Sequence, residues 1–304
     1  MERREFDFPL SYPYCKFDFM EWNPVQRKCI PFFTEDCNLV VSASTASGKT
    51  AIAEAVMGYE MSRSEKSKAV YVSPMKAIGY EKHAKWKRHP TFGKFASISV
   101  SSESQHAREE FEESRLIVST VESMAVRCRA RDGWLSDVAV LVLDESHLVG
   151  DESRGAGCEA MVMDFTWLNP DARVVFLSGT MGNCVEMAKW LKSCNGKQTR
   201  FVQSSWRPSE LTKRVRVSDS KKSMAADVLD EVGDGSRKTL VFVQSKHAGE
   251  WIAKELNAHG VPAAFYHAGL PQSTRRRMTA DFTSVLGGLN TIVCTSSLST
   301  GVSL

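Results

Sequence analysis

Two clusters of residues in this 304-residue chain have the types and the spacing that phosphate chemistry requires. The first is the loop 43–50, in which small residues follow a short apolar run and precede a helix-like segment. Small residues allow backbone N–H groups to approach phosphate oxygens, and the helix N-terminus adds a favourable field. In this pattern Lys49 reaches the β- and γ-phosphates, and the Thr50 hydroxyl binds Mg²⁺. The other predicted nucleotide contacts of the loop are Ala46, Ser47 and Gly48.

The loop departs from the usual phosphate-binding pattern, because Ala43 and Ala46 stand where glycine is common. An ordinary turn of small residues before an amphipathic helix is the alternative interpretation. The apolar run before the loop and the helical pattern at 50–62 favour a nucleotide-binding loop. Taken alone, the loop predicts nucleotide binding and leaves open how the energy is used.

The second cluster follows the fully apolar run 138–143, where Asp144 and Glu145 emerge at the end of a predicted strand. Carboxylates are unfavourable at such a position unless a cation or a reaction requires them. We predict that Asp144 binds Mg²⁺ through water and that Glu145 orients and deprotonates the water that attacks the γ-phosphate. His147 and Lys49 complete the predicted catalytic group. A strand that simply ends in a polar turn is the alternative.

Three further residues are predicted to act at the nucleotide site. The run 174–177 leads into Ser178 and Thr180, which we expect to hydrogen-bond to the 144–145 turn and respond to phosphate occupancy; the alternative is an isolated hydroxyl turn. Upstream, Gln26 is placed to pair with an adenine edge beside Phe17 or Phe19, since an amide offers both a donor and an acceptor. A surface glutamine beside core aromatics is the alternative for Gln26.

Short apolar runs separated by helix-length polar segments recur along the chain, a pattern typical of buried parallel strands. The fold class is therefore α/β, with two parallel-sheet domains in tandem at 1–202 and 211–304 and a linker at 203–210. No second phosphate loop is found, so one nucleotide is expected between the two domains. The predicted strands are the apolar run that begins at 39 and leads into the loop, and 69–74, 95–100, 116–120, 138–143, 174–177, 239–243, 263–267 and 291–295.

Composition limits the other classes of protein. The net charge of +3 is too small to argue for nucleic acid, although the basic clusters 82–88 and 275–277 can contact phosphates. The eight cysteines show no zinc-type spacing, so reduced thiols are expected. No run is long enough to span a membrane and the N-terminus lacks a signal peptide, so we expect an intracellular protein, cytoplasmic or at the nucleoid or nucleus, without a membrane partner.

The ordered set 43–50, 144–147, 178–180 and 299–302 resembles the superfamily 2 helicases of the DExH type. Further segments narrow the resemblance to the branch that contains the superkiller-type RNA helicases and the archaeal-type DNA repair helicases. The resemblance covers the chain from about residue 17 to its end. The segments that carry the narrower resemblance are 73–78, 81–82, 147–151, 154–155, 159, 177–183, 190–191, 207–208, 240–243 and 267–270.

The resemblance implies two RecA-like domains that bind ATP and Mg²⁺ while a single strand of nucleic acid crosses both. It also places Gly301 at the nucleotide. Its strand contacts would grip phosphate and sugar rather than read bases, which suits a motor that moves along any sequence. The implied strand contacts are Pro74, Lys76, Thr120, Glu122, Ser245, Lys246, Thr295 and Thr300.

We therefore expect an ATP-dependent helicase or translocase that acts on single-stranded or forked DNA with the family's usual 3′ to 5′ polarity. DNA is favoured over RNA because the chain lacks the large insertions of the superkiller type. An RNA helicase of the same branch is one alternative. A small-molecule phosphotransferase is disfavoured, because no acceptor site is recognisable and the second domain would be unexplained.

A third alternative is an incomplete helicase core that binds ATP and nucleic acid but hydrolyses ATP poorly. The family's motif Gln-x-x-Gly-Arg-x-Gly-Arg, which supplies arginines to the γ-phosphate, is absent from the sequence. The arginines at 275–277 lie on a different predicted helix. We accordingly expect the second domain to be truncated and to be completed by a further segment or by a partner chain.

Overall fold

Two α/β units, which divide after Glu210, make up the computed structural model of the chain. The structure describes residues 11–12, 15–17, 19–89, 92–94, 97–99, 106–179, 181–284, 288–295 and 298. Within these residues no helix combines the length and the apolar character needed to cross a bilayer.

A seven-stranded parallel sheet forms the centre of the first unit. A short antiparallel pair precedes it, β1 (Ser11–Tyr12) with β2 (Cys15–Lys16). The strands of the sheet are β3 (Asn38–Ala43), β4 (Lys68–Ser73), β5 (Ser97–Ser99), β6 (Leu116–Thr120), β7 (Val138–Asp144), β8 (Arg173–Ser178) and β9 (Thr199–Ser204). Their spatial order is β5-β6-β4-β7-β8-β3-β9. Every residue of β3, β4, β6 and β8 is buried, which explains why these strands read as continuous apolar runs.

Helices cover both faces of this sheet. Alternate strand residues point to opposite faces, so that Leu39 and Val41 belong to one core cluster and Val40 to the other. The helices are α1 (Pro24–Cys29), α2 (Lys49–Arg63), α3 (Lys76–Arg88), α4 (His106–Glu113), α5 (Val121–Ala130), α6 (Gly155–Leu168) and α7 (Cys184–Asn195). Short 3₁₀ segments lie at Ile30–Phe32, Phe92–Lys94, Gly133–Asp137 and Ser146–Gly150.

Strand β9 corrects the predicted start of the linker. It pairs in parallel with β3 from Asn38↔Thr199 to Ala43↔Ser204, so the predicted linker at 203–210 overlaps the sheet by two residues. The physical reason is that β9 is an edge strand in which only Val202 is buried. Its sequence therefore lacks the apolar run that identifies the central strands. The other domain boundaries remain predictions.

The second unit contains a three-stranded parallel sheet of order β10-β12-β11. Helices again pack on both faces, because Val293 belongs to one apolar cluster whereas Ile292 and Cys294 belong to another. The predicted α/β class with two parallel sheets is confirmed. The elements of this unit are α8 (Lys221–Val232), β10 (Thr239–Phe242), α9 (Lys246–Ala258), β11 (Ala263–Tyr266), α10 (Gln272–Thr283) and β12 (Thr291–Cys294).

Candidate nucleotide-binding site

The carboxyl edge of the seven-stranded sheet collects the predicted site residues of the first unit. Strands β7, β8 and β3 are neighbours, and their ends carry Asp144, Ser178 and the loop 44–48 respectively. Strands β4 and β6 lie on the other side of β7 and end beside Pro74 and at Thr120. In an open parallel sheet this edge is the usual place for ligands. The sheet order thus separates a predicted phosphate side from a predicted strand-contact side, which are adjacent across β7.

A cap from helix α1 holds the phosphate loop. Asn23 accepts hydrogen bonds from the backbone at the start of α1, and its Nδ2 donates to Ser47 O at 2.9 Å. Gln26 Oε1 accepts from Asn23 N at 3.0 Å, while its Nε2 donates to Gly48 O at 3.2 Å. Gln26 is buried, so it is not the surface glutamine of the alternative interpretation. Its amide contacts the loop, and its predicted role at an adenine stays a prediction.

The aromatic residues predicted to lie beside the adenine belong to a cluster next to α1. Phe17 is buried, with its ring centroid 4.6 Å from that of Trp22, and Phe19 is half-buried at 5.0 Å from Trp22. Phe33 extends the cluster at 5.6 Å from Trp22. These edge-to-face and tilted contacts give the rings a packing role in the first unit.

Gly48 is the position of the loop where glycine is required. Its φ of +76° lies in the left-handed region, and a Cβ there would come within 2.4 Å of Gln26 Nε2. Ala46 also has a positive φ, of 62°. Two such residues bend the backbone tightly just before α2 begins at Lys49.

Replacement of Gly48 by alanine is expected to destabilise the first unit by at least about 1–2 kcal/mol, the usual left-handed penalty for a residue with a Cβ. The clash with the hydrogen-bonded Gln26 amide adds to that cost. Urea unfolding followed by tryptophan fluorescence measures the change. Gly157→Ala is the control, because this glycine lies inside α6 with no heavy atom within 4 Å of an added Cβ. Equal unfolding midpoints for the two variants would contradict the prediction.

Lys49 folds back onto its own loop. Its Nζ donates to Ala43 O at 2.9 Å and to Ser44 O at 3.0 Å. Burial lowers the pKa of Lys49 below its ordinary value, and the negative charges of Glu145 and Asp144 oppose part of that shift. The ammonium is therefore held by two backbone acceptors, which phosphate oxygens can replace, within range of the charges of both predicted catalytic carboxylates.

Asp144 is held by two donors. Tyr71 in β4 donates its hydroxyl to Asp144 Oδ2 at 2.5 Å, and Glu145 N donates to Asp144 Oδ1 at 3.0 Å. Tyr71 is fully buried, and burial followed by the charge of Asp144 raises its pKa well above the ordinary value. The phenol therefore remains a neutral donor. Sequence reasoning missed Tyr71; the available signal was a lone phenol inside a fully buried strand, which needs a partner.

Glu145 adopts a left-handed conformation with φ of 51°, which is uncommon for a residue with a side chain. Its side chain is 36% exposed, and Oε2 lies 3.2 Å from His147 Nδ1. The same His147 nitrogen lies 3.2 Å from Ser178 Oγ. His147 thus connects the ends of β7 and β8, and Ser178 contacts His147 rather than the 144–145 turn itself. Thr180, the other predicted partner of that turn, lies outside the described residues.

The loop side chains fit a phosphate and a divalent cation. Ser47 Oγ is buried and has no hydrogen-bond partner among the residues that the structure describes, as expected of a group that awaits a phosphate oxygen. Thr50 and Asp144 supply oxygen ligands of the kind Mg²⁺ prefers. The described residues contain no cluster of three or more acidic, histidine or cysteine side chains that could hold a metal ion. Mg²⁺ at nucleotide sites usually keeps phosphate oxygens and water among its ligands.

On the strand-contact side, the four predicted residues of the first unit lie together because Ser73 and Thr120 are paired in register. Lys76 is exposed at the start of α3, whereas Pro74 is buried. The Thr120 hydroxyl caps α5 and Glu122 pairs with Arg154 at 2.7 Å. Lys76 therefore offers the accessible cation, while Pro74 and Thr120 shape the backbone beneath it.

The predicted contacts of the second unit lie at the ends of two neighbouring strands. Ser245 caps α9 through its hydroxyl, and Lys246, the first residue of that helix, is exposed. Thr295 directly follows β12, which pairs with β10 along its whole length. Thr300 and Gly301 lie outside the described residues.

Comparisons with protein families identify both units. The DEAD/DEAH box helicase family matches residues 23–188, and the helicase conserved C-terminal domain matches residues 220–304. The first match contains the phosphate loop, Asp144, Glu145 and Ser178. The resemblance to superfamily 2 helicases is confirmed.

Individual relatives include the ATP-dependent DNA helicase Hel308 of Thermococcus kodakarensis, 33% identical over 235 residues that make up 74% of this chain and 20% of the relative. Its counterpart from Thermoplasma volcanium is 27% identical over 335 residues, which cover 97% of this chain and 48% of the relative. The chain thus spans between a fifth and a half of the length of these relatives.

Solved structures show the same fold. The DUF1998 helicase MrfA bound to DNA and AMPPNP superposes with a TM-score of 0.72 at 17% identity, covering 92% of this chain and 42% of that one. At this identity the likeness concerns the fold of the chain.

Proposed function

Because the chain belongs to the DEAD/DEAH box helicase family, we propose that it is an ATP-dependent helicase or translocase that moves along a single strand of nucleic acid. The observation that carries the proposal is the sheet edge of the first unit. There the loop with Lys49 follows β3, Asp144 and Glu145 lie at the end of β7 two strands away, and β4, the neighbour of β7 on its other side, leads to Lys76. We infer that phosphate chemistry and strand contact take place at one edge of the same sheet, on either side of β7.

The residues of the chain divide the work of hydrolysis. Thr50 and Asp144 would hold Mg²⁺, and a bound Mg²⁺ would neutralise phosphate charge and polarise the reacting phosphoryl group. Lys49 exchanges its two backbone acceptors for phosphate oxygens. Glu145 accepts a proton from the attacking water. His147, which contacts both Glu145 and Ser178, keeps the carboxylate oriented and connects it to the end of β8.

The strand contacts belong to the same proposal. Lys76 in the first unit and Lys246 in the second are exposed first residues of helices, where the ammonium and the helix N-terminus both favour phosphate. Such contacts are independent of sequence, as movement along a strand requires. We propose 3′ to 5′ movement, following the family resemblance. Because its proposed substrate is a nucleic acid, we propose that the protein acts inside the cell.

DNA is the strand that the comparisons favour. Each relative reported above carries the name DNA helicase, and the structural neighbour was solved with DNA bound. We therefore propose single-stranded or forked DNA as the substrate. RNA is the competing substrate.

Loss of the Tyr71 hydroxyl in Tyr71→Phe is expected to weaken Mg²⁺-dependent nucleotide binding about 10–100-fold, the range typical for residues that orient a metal ligand. The ring stays packed against Trp86, 5.0 Å away, while Asp144 loses its buried donor. The measurement is the Mg²⁺ concentration needed for half-maximal ATP hydrolysis and for half-maximal binding of a fluorescent ATP analogue. Tyr59→Phe, on the partly exposed side of α2, is the control. An unchanged Mg²⁺ requirement in Tyr71→Phe would remove Tyr71 from this role.

Strand displacement tests the proposed function. Duplexes that carry a single-stranded 3′ tail, a 5′ tail or no tail, made of DNA or with an RNA tail, are incubated with the chain, ATP and Mg²⁺. The proposal predicts ATP-dependent release of the shorter strand from the 3′-tailed DNA substrate. Release from the 5′-tailed duplex alone would reverse the polarity, and a preference for the RNA tail would change the substrate class.

A further inference from the structure

The hydroxyl of Thr50, the predicted Mg²⁺ ligand, already accepts a hydrogen bond from a lysine. Lys82 of α3 donates its Nζ to Thr50 Oγ1 at 2.9 Å. Lys82 is half-buried, as is Thr50. The phosphate-loop pattern predicts a Mg²⁺ ligand at Thr50. It does not predict that a lysine ammonium lies next to the same hydroxyl.

The contact belongs to a polar seam between α3 and α2. One turn further along α3, Lys85 Nζ lies 3.3 Å from Glu54 Oε1, and Trp86 Nε1 donates to the same oxygen at 2.7 Å. These two contacts fix the helix against α2 independently of Lys82. The hydrogen bond from Lys82 to Thr50 can therefore break while the other two polar contacts keep α3 packed against α2.

An ammonium and a divalent cation are exclusive partners for one hydroxyl oxygen. Both would lie next to the same oxygen, a few ångströms apart, in a partly buried site where like charges repel strongly. Lys82 has a flexible four-carbon stem, so it can move away while α3 stays in place. Binding of Mg²⁺ at Thr50 thus requires the departure of the Lys82 ammonium.

We propose that Lys82 is a positioning residue that acts as a resident countercation of the nucleotide site. It satisfies Thr50 in the nucleotide-free chain, supplies positive charge to phosphates in the absence of Mg²⁺, and leaves Thr50 when Mg²⁺ and nucleotide bind together. This inference rests on the proposed nucleotide-binding function.

The substitution Lys82→Met tests the proposal because it is expected to change nucleotide affinity in opposite directions without and with Mg²⁺. Without Mg²⁺, the variant lacks a countercation and binds nucleotide more weakly. With Mg²⁺, it lacks a competitor and binds nucleotide more tightly. The ratio of the dissociation constants of a fluorescent ADP analogue in EDTA and in excess Mg²⁺ is expected to rise about tenfold, since hydrogen bonds to charged groups are worth that much or more.

Lys85→Met is the matched control, because it removes an ammonium from the same helix face that contacts Glu54 instead of Thr50. Its ratio is expected to stay within about threefold of the unmodified chain, because the Lys85 ammonium is more than half exposed and the buried Glu54 keeps its hydrogen bond from Trp86 Nε1. Lys82→Gln gives a second test should Lys82→Met fold poorly, which urea unfolding reports.

Three outcomes overturn the inference. An unchanged ratio in both Lys82 variants means that Lys82 does not compete with the metal. An equal rise in Lys85→Met means that the effect comes from general loss of positive charge. Absence of nucleotide binding by the unmodified chain in both buffers overturns the proposed function itself, and the inference with it.

Discussion

Glu145→Gln is expected to lower kcat for ATP hydrolysis by about 10²–10⁴-fold, the usual contribution of a positioned general base. The glutamine keeps the size of the side chain and can still reach His147, but its amide cannot accept the proton of the attacking water. Nucleotide affinity should be retained or increased, because one negative charge near the phosphates is lost. The measurements are steady-state hydrolysis and equilibrium binding of a fluorescent ATP analogue.

The left-handed backbone at Glu145 strengthens this expectation. A φ of 51° is unfavourable for a residue with a side chain, and such strain is kept where the direction of the side chain matters. Glu152→Gln is the matched control, because this exposed carboxylate lies in the turn seven residues further along the chain. Full turnover in Glu145→Gln, or an equal loss in the control, would remove Glu145 from its assigned role.

Glu60→Ala is expected to lower the free energy of unfolding of the first unit by about 3–5 kcal/mol, the cost of leaving a buried charge without its partner. Glu60 and Arg173 are both almost fully buried, with Arg173 Nη1 2.8 Å from Glu60 Oε1. The guanidinium also donates to the carbonyl oxygens of Phe32, Phe33 and Cys37. It therefore ties β8, α2 and the segment before β3 together.

Urea unfolding followed by tryptophan fluorescence measures this change. Six of the seven tryptophans precede Glu210, so the signal reports mainly the first unit. Glu35→Ala is the control, because its partner Arg200 is exposed and such pairs contribute about 0–1 kcal/mol. A loss of less than about 1 kcal/mol in Glu60→Ala would show that the buried pair is compensated by the backbone acceptors. The six tryptophans are Trp22, Trp86, Trp134, Trp167, Trp190 and Trp206.

The central strands could be predicted from the sequence because both of their faces are buried. The run 138–143 is apolar throughout, so the acids that follow it stand out, and the same holds for the phosphate loop after β3. The edge strand β9 could not be found in this way, since one buried valine among exposed residues resembles a linker. A parallel strand can therefore be recognised in a sequence when both of its faces are buried, but not when it lies at the exposed edge of the sheet.

Long-range polar contacts could not be predicted from the sequence either. Tyr71 reaches Asp144 across 73 residues, and Lys82 reaches Thr50 across 32. Periodicity reports which face of an element is buried, but it carries no information about which polar atom meets which. The order of the strands, which brings β4 next to β7, supplies that information. The residues that carry the chemistry could therefore be proposed from their types, whereas those that position them required the structure.

We propose that the chain hydrolyses ATP in response to a nucleic-acid strand. The direct test is steady-state ATP hydrolysis by the purified chain with Mg²⁺, alone, with single-stranded DNA and with single-stranded RNA of equal length. We expect low turnover by the chain alone and clear stimulation by DNA, stronger than by RNA. No turnover with either strand, despite measurable ATP binding, would contradict it and leave a core that binds nucleotide without working as a motor.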